Sequence, residues 1–162
     1  MATDYFLKLE GDAFKGESKQ QGHVDEIDVL SWSWGESNAG SAASGGGQGS
    51  GKVNMQDFSF AMKICKASPK LLLACATGEH ISKATLVCRR AGKTPQEYLK
   101  ITLSECLVSS FQTGGSSGDE IPTDSVSINF AKIEYSYSPQ KADGSLGTAI
   151  PVGYDMTTSK DS

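Results

Sequence analysis

Several groups of residues have types and spacings that could do chemistry. Gly46-x-x-x-x-Gly51-Lys52 has the glycine and lysine spacing of a phosphate-binding loop, in which backbone N–H groups cradle phosphates and the lysine reaches the terminal ones. Such a loop continues with Ser or Thr, whose hydroxyl binds magnesium, but here the next residue is Val53, which offers no oxygen. It also follows a strand and opens a helix, whereas residues 46–52 end a Gly/Ser-rich run and lead into alternating apolar residues, so no nucleotide site is expected. Gly114, Gly115, Ser116, Ser117 and Gly118 match G-x-S-x-G, the strand-to-helix turn that exposes the nucleophile of α/β-hydrolases. Asp119, Glu120 and Pro122 follow in place of an apolar helix. A triad would also need His23 or His80 beside Ser116, and His23 sits in a polar segment while His80 follows a helix end. A glycine-rich hairpin loop is the better reading, with no catalytic residue.

The two histidines lie far apart and no cysteine stands at ligand spacing from either, so neither a metal site nor a cofactor is expected and both read as surface residues. Asp25, Glu26 and Asp28 read as a solvated strand edge. Cys65, Cys75, Cys88 and Cys106 are widely spaced and mostly among apolar neighbours, as buried reduced thiols are. Trp32, Trp34, Tyr135 and Tyr137 read first as core residues and second as interface residues.

The chain that must position these groups has 162 residues, 38% hydrophobic and 21% charged with 18 glycines, which suits a single domain, residues 1–162, with a core and generous loops. A net charge of −4 gives no general attraction to nucleic acid or anionic membrane. The first residues lack a basic stretch followed by an apolar segment, and no apolar run approaches the ~20 residues of a membrane helix, so neither a signal peptide nor a membrane anchor is expected. The thiols and the missing leader suggest folding in the cytoplasm.

Residues 4–9 and 27–34 alternate as strands do; in the second, Asp28, Leu30, Trp32 and Trp34 share one face while Ile27, Val29, Ser31 and Ser33 share the other. Residues 35–51, rich in Gly, Ser and Ala, hold no aliphatic anchor larger than alanine and read as a long mobile loop or one ordered by a partner. Residues 53–64 form a strand whose parity changes near Gln56, as at a bulge or turn. A short helix at about residues 69–77 has Ser68 to cap it, Pro69 in its first position and Gly78 as its stop. Residues 83–92, 97–113 and 124–138 read as further strands, and in the last the apolar side switches from Val126, Ile128 and Phe130 to Ile133, Tyr135 and Tyr137. The fold class is mainly β: an antiparallel β-barrel or rolled sandwich with one short flanking α-helix and a polar tail from about residue 157.

The combination of KGES (15–18), HVDEIDVLSWSWG (23–35), GKVNMQDFSF (51–60), ACATGEH (74–80) and SPQKADGS (138–145) resembles the Hcp family, the haemolysin co-regulated proteins of bacterial type VI secretion. The similarity runs from about residue 3 to residue 156 with the motifs in family order, departing between Gly11 and Phe14 and in the tail after Met156. The resemblance implies a structural barrel subunit that forms a homo-hexamer with a wide central hole. Rings stack into an inner tube driven out by a contracting sheath behind a spike protein. The protein would assemble in the bacterial cytoplasm and leave the cell by type VI secretion, which uses no signal peptide.

The resemblance also gives the loop at 35–51 a role. Its Gly40, Gly45, Gly46, Gly47, Gly49 and Gly51 are the candidate ring-stacking residues, ordered on contact with the next ring. The hairpin loop at 113–118 is expected to face the lumen, making Ser116 and Ser117 candidates for holding small effector proteins. Some family members carry a toxin domain after the barrel, and this chain is expected to have none. The alternatives are a tube protein of a related phage-tail-like contractile machine and, from another class, a small serine hydrolase using Ser116.

Overall fold

The computed structural model describes residues 2–38 and 53–161. The ring-stacking candidates Gly40, Gly45, Gly46, Gly47, Gly49 and Gly51, and with them Lys52 of the phosphate-loop match, lie outside the described residues. Alternating apolar residues build β1 (Thr3–Leu9), β2 (Ile27–Ser33), β4 (Val53–Met55), β5 (Phe58–Lys63), β6 (His80–Arg90), β7 (Gln96–Gly114) and β8 (Thr123–Asn129), and the short polar β3 (Glu36–Asn38) pairs with β4. Going round, β7, β6, β1, β2, β5 and β8 pair in turn and β8 pairs back with β7, closing an antiparallel barrel of six strands. Closure leaves the barrel without free edges. Leu7, Ile27, Phe58, Met62, Leu86, Ile101 and Ile128, each at most 1% exposed, fill its interior.

The expected strand at 124–138 is in fact two. β8 ends at Asn129, and after Phe130 and Ala131 the chain resumes as β9 (Lys132–Tyr137). Both lie along β7, whose residues 107–114 pair with β8 and whose residues 99–104 pair with β9. Glu105, at φ 57, stands between these stretches, and the Ala131 N–H donates to the Ser104 carbonyl where the chain crosses from one to the other. The switch of apolar side is therefore the exit from the barrel into a flap, completed by β10 (Ile150–Asp155) and β11 (Lys160–Asp161). The sequence reading placed no strand at β10, where Pro151 and Gly153 weaken the alternation, and took β11 for tail.

Three further expectations need correction. In β2 a bulge between Val29 and Ser31 sends Leu30 and Ser31 both outward, so Ile27 and Val29 point into the barrel before it and Trp32 after it. Residues 36–38, expected to belong to the loop, are a strand instead, β3 pairing with β4 as far as Asn38↔Val53. The break near Gln56 is present: its N–H donates to the Gly35 carbonyl, and its own carbonyl accepts the Trp34 indole N–H at 2.9 Å. The helix α1 (Ser68–Thr77) buries Leu71 and Ala74 and packs against β7. Gly78 closes it at φ 70, its N–H donating to the Ala74 carbonyl, as a left-handed stop does. Ser68 does not cap it: its hydroxyl accepts the Cys65 N–H at 3.0 Å and donates to buried Asp124 at 2.6 Å, tying the helix to β8, and Ala67 takes the cap position.

Candidate functional site

The residues that resembled catalytic groups are not brought together. Ser116 and Ser117 sit in the exposed β7–β8 hairpin, where the Ser116 hydroxyl donates to Asp119 at 2.9 Å, and the turn leads into a strand rather than a helix. His80 pairs with Glu105, 25 residues further along on β7, and His23 lies between Glu26 and Glu97. His23 is 5% exposed, not a surface residue, and its partner Glu26 is not fully solvated. Of the expected acidic edge only Asp25 and Asp28 are exposed, and β2 is no edge because β1 and β5 flank it. Cys88 and Cys106 are buried as expected, burial pushing their thiols up to about 11 and about 12, whereas Cys65 and Cys75 are half-buried. Among the described residues no group of three or more potential ligands could hold a metal ion, and no helix is long and apolar enough to cross a membrane.

Two surfaces of opposite character remain. On the outside of β2, β5, β8 and β7, alternation puts small hydroxyls where the inner face has large apolar groups. Ser31, Ser33, Ser59, Ser110, Ser125 and Ser127 line a shallow hollow of about 330 Å³ whose lining holds no charged side chain. Neighbouring strands are matched across it, with Ser59 and Ser127 hydroxyls 3.0 Å apart. Sequence reasoning overlooked this wall, although the signal was available: Ser alternates with large apolar residues in S-W-S, F-S-F and S-V-S-I. Trp32 stacks on Phe58 at 6.0 Å behind it and is partly buried against the core, as its first reading expected.

The flap is the reverse. Ile133, Tyr135 and Tyr137 pair with Tyr154, Val152 and Ile150, and on the other side with Leu103, Ile101 and Leu99 of β7. The face that fills the barrel on β7 thus continues onto β9 and β10. There its exposure rises from 1% at Ile101 to 38% at Tyr135 and 61% at Val152. Trp34 and Met55 cover only its inner margin, leaving a groove of about 280 Å³. A second patch surrounds a groove of about 400 Å³, where Leu30, turned out by the bulge, lies with Ile64 and Ile121, all between 43% and 50% exposed, beside the charged Glu17, Asp28 and Lys63. It shares no lining residue with the flap groove, so the two surfaces are distinct. Contiguous exposed apolar surface of this kind marks protein contacts.

Residues 6–137 match the family model described as "Type VI secretion system effector, Hcp". The protein hcp1 of Pseudomonas aeruginosa is 54% identical over 158 residues, 96% of each chain. Among solved structures, Hcp1 from Salmonella typhimurium is 34% identical with a TM-score of 0.80 over 100% of both chains. A type six secretion system protein is 27% identical with a TM-score of 0.91, covering 99% of this chain and 100% of that one.

Proposed function

The chain belongs to the Hcp family of type VI secretion proteins, and on that premise we propose that it is a structural subunit of the system's inner tube. Six copies close into a ring, rings stack, and the tube leaves the cell behind the spike when the sheath contracts. The observation that carries this reading is the contrast between an apolar flap with its outer part uncovered and a serine-lined hollow whose lining holds no charge. A cyclic ring needs two different mating surfaces on each subunit, and the flap and the Leu30 patch are two distinct surfaces that could serve. The serine wall then faces the lumen, where small hydroxyls and no fixed charge let cargo pass without strong binding. The protein carries out no reaction; its partners are copies of itself, the spike, the sheath and small effector proteins in the lumen.

Light scattering after size exclusion, followed by negative-stain imaging, tests this directly. Six-fold rings are expected, and a monomer at every concentration refutes the tube reading. Within it, Ser116 and Ser117 remain the lumen-rim candidates: replacing both with Arg is expected to abolish effector retention with rings intact, and unchanged retention removes them from that role. Shortening the Gly/Ser-rich stretch of residues 35–51 is expected to weaken stacking without unfolding the subunit.

A further inference from the structure

The tube reading leaves one buried titratable group without a task. His23 lies in residues 15–26, a segment laid over the outer face of β1 and β6. Its backbone is folded on itself by the Gly16 N–H donating to the Asp25 carbonyl, Ser18 to Glu26 and Asp25 to Ser18. Gly16 is required there, because a Cβ would come within 2.4 Å of the Glu26 carbonyl oxygen. The imidazole stacks on Phe6 at 4.3 Å with the rings 2° from parallel, and its side chain is 6% exposed. Nδ1 is 3.0 Å from a Glu26 carboxylate oxygen in the same segment, and Nε2 is 2.6 Å from a Glu97 oxygen at the start of β7.

Each of these nitrogen–oxygen contacts needs a proton between its atoms, since a ring lone pair facing a carboxylate oxygen repels it. A neutral imidazole has only one N–H to give. With both glutamates ionised, the geometry calls for the doubly protonated ring. The other charges around the cluster are the Arg89 guanidinium on β6, 4.8 Å from the Phe6 ring, Lys93, which shares a cavity with Glu97, and two carboxylates: Asp4 on β1, which Arg89 contacts at 3.4 Å, and Asp28 on β2, paired with Phe6. Asp4 is the direct partner of Arg89, and Glu26 and Glu97 are the direct partners of the histidine.

We propose that His23 is a proton-dependent latch: as the imidazolium it bridges Glu26 and Glu97 and fastens residues 15–26 to β7, and loss of one proton frees the segment. Sign follows from the chemistry. The latch holds in acid and through the range where the ring keeps both protons, and it opens as pH rises, because one contact then becomes repulsive. Glu97 also walls a cavity of about 490 Å³ with Gln20, Gln21 and Lys93, so opening changes the surface beside the β6–β7 turn.

Hydrogen exchange of the full-length protein, followed between about pH 6 and pH 9 and corrected for intrinsic rates, tests the latch with exposed His80 as the internal contrast. The amides of Gly16, Ser18 and Asp25 are expected to lose protection by about tenfold or more over that range while β5 and β8 amides do not change. Glu97→Gln, which keeps the shape and an acceptor, is expected to flatten that dependence. Nitrogen NMR of the ring at neutral pH should find both nitrogens protonated. A single neutral tautomer there, or protection that is equally pH-dependent in Glu97→Gln, overturns the proposal.

Discussion

The wall formed by β2, β5, β8 and the end of β7 and the flap formed by β9 and β10 share one strand, yet they finish differently. On the wall, apolar side chains point inward to a closed core and serines point out. On the flap, the same inner face runs past the barrel's margin and stays apolar where the barrel no longer covers it. A solvent surface is cheapest to maintain with small polar groups, whereas an apolar surface left open is favoured only if another molecule covers it. The difference therefore separates a surface finished for water from one that a protein neighbour would stabilise by covering.

The strongest way to damage both regions at once is through β7, which they share. Ile101, 1% exposed, is paired with Leu86 of the barrel on one side and Tyr135 of the flap on the other. Ile101→Ala is expected to lose about 2–5 kcal/mol in urea unfolding, from the missing burial and the cavity left behind. A loss below about 1 kcal/mol would mean that wall and flap are not one packed unit.

A charge on the flap separates the regions. Tyr135→Asp, at a position 38% exposed in the subunit, is expected to leave the fold intact and weaken self-association about a hundredfold or more, read by light scattering. Leu30→Asp on the second patch should do the same. In the proposed head-to-tail ring, an equal mixture of the two variants keeps one sound interface and is expected to give dimers. A mixture that stays monomeric contradicts the pairing of these two patches.

The wall should respond least. Ser127→Arg is expected to change stability by no more than about 0.5 kcal/mol and leave rings intact, while altering what passes through them. A further small effect comes from the thiols buried in the barrel core. Burial raises Cys88 and Cys106 from an ordinary 9.0 to about 11 and about 12, so the unfolded chain releases these protons first. Their contribution is whole below about pH 9 and is lost as pH climbs towards 11 to 12. Unfolding scans of Cys88→Ala should fall less steeply over that interval than the parent.

Much of this architecture can be read from residue pattern. Alternation identifies the barrel strands, Pro69 and Gly78 bracket the helix, and the parity change near Gln56 marks a true break. What escapes the pattern is non-local. Nothing in residues 124–138 says that the apolar switch is a change of partner along β7, since pairing partners are far away in sequence. The bulge that turns out Leu30 is invisible because an extra residue looks like ordinary alternation until Met62 and Ala61 fix the register. His23 reads as polar surface because Glu97, 74 residues away, supplies half of its environment. The candidate serines at 116 and 117 come from a glycine-rich loop, whereas the more extensive hydroxyl surface lies in strands, where single serines between large apolar residues attract little notice.

Hydroxyl-radical footprinting of the assembled wild type against the Tyr135→Asp subunit measures most directly which surface assembly covers. Assembly is expected to protect Tyr137, Ile150 and Val152 on the flap and Ile64 and Ile121 on the second patch, while Trp32 behind the serine wall keeps its labelling. Equal labelling of the flap in both states, or protection confined to the wall, would contradict the proposed interface.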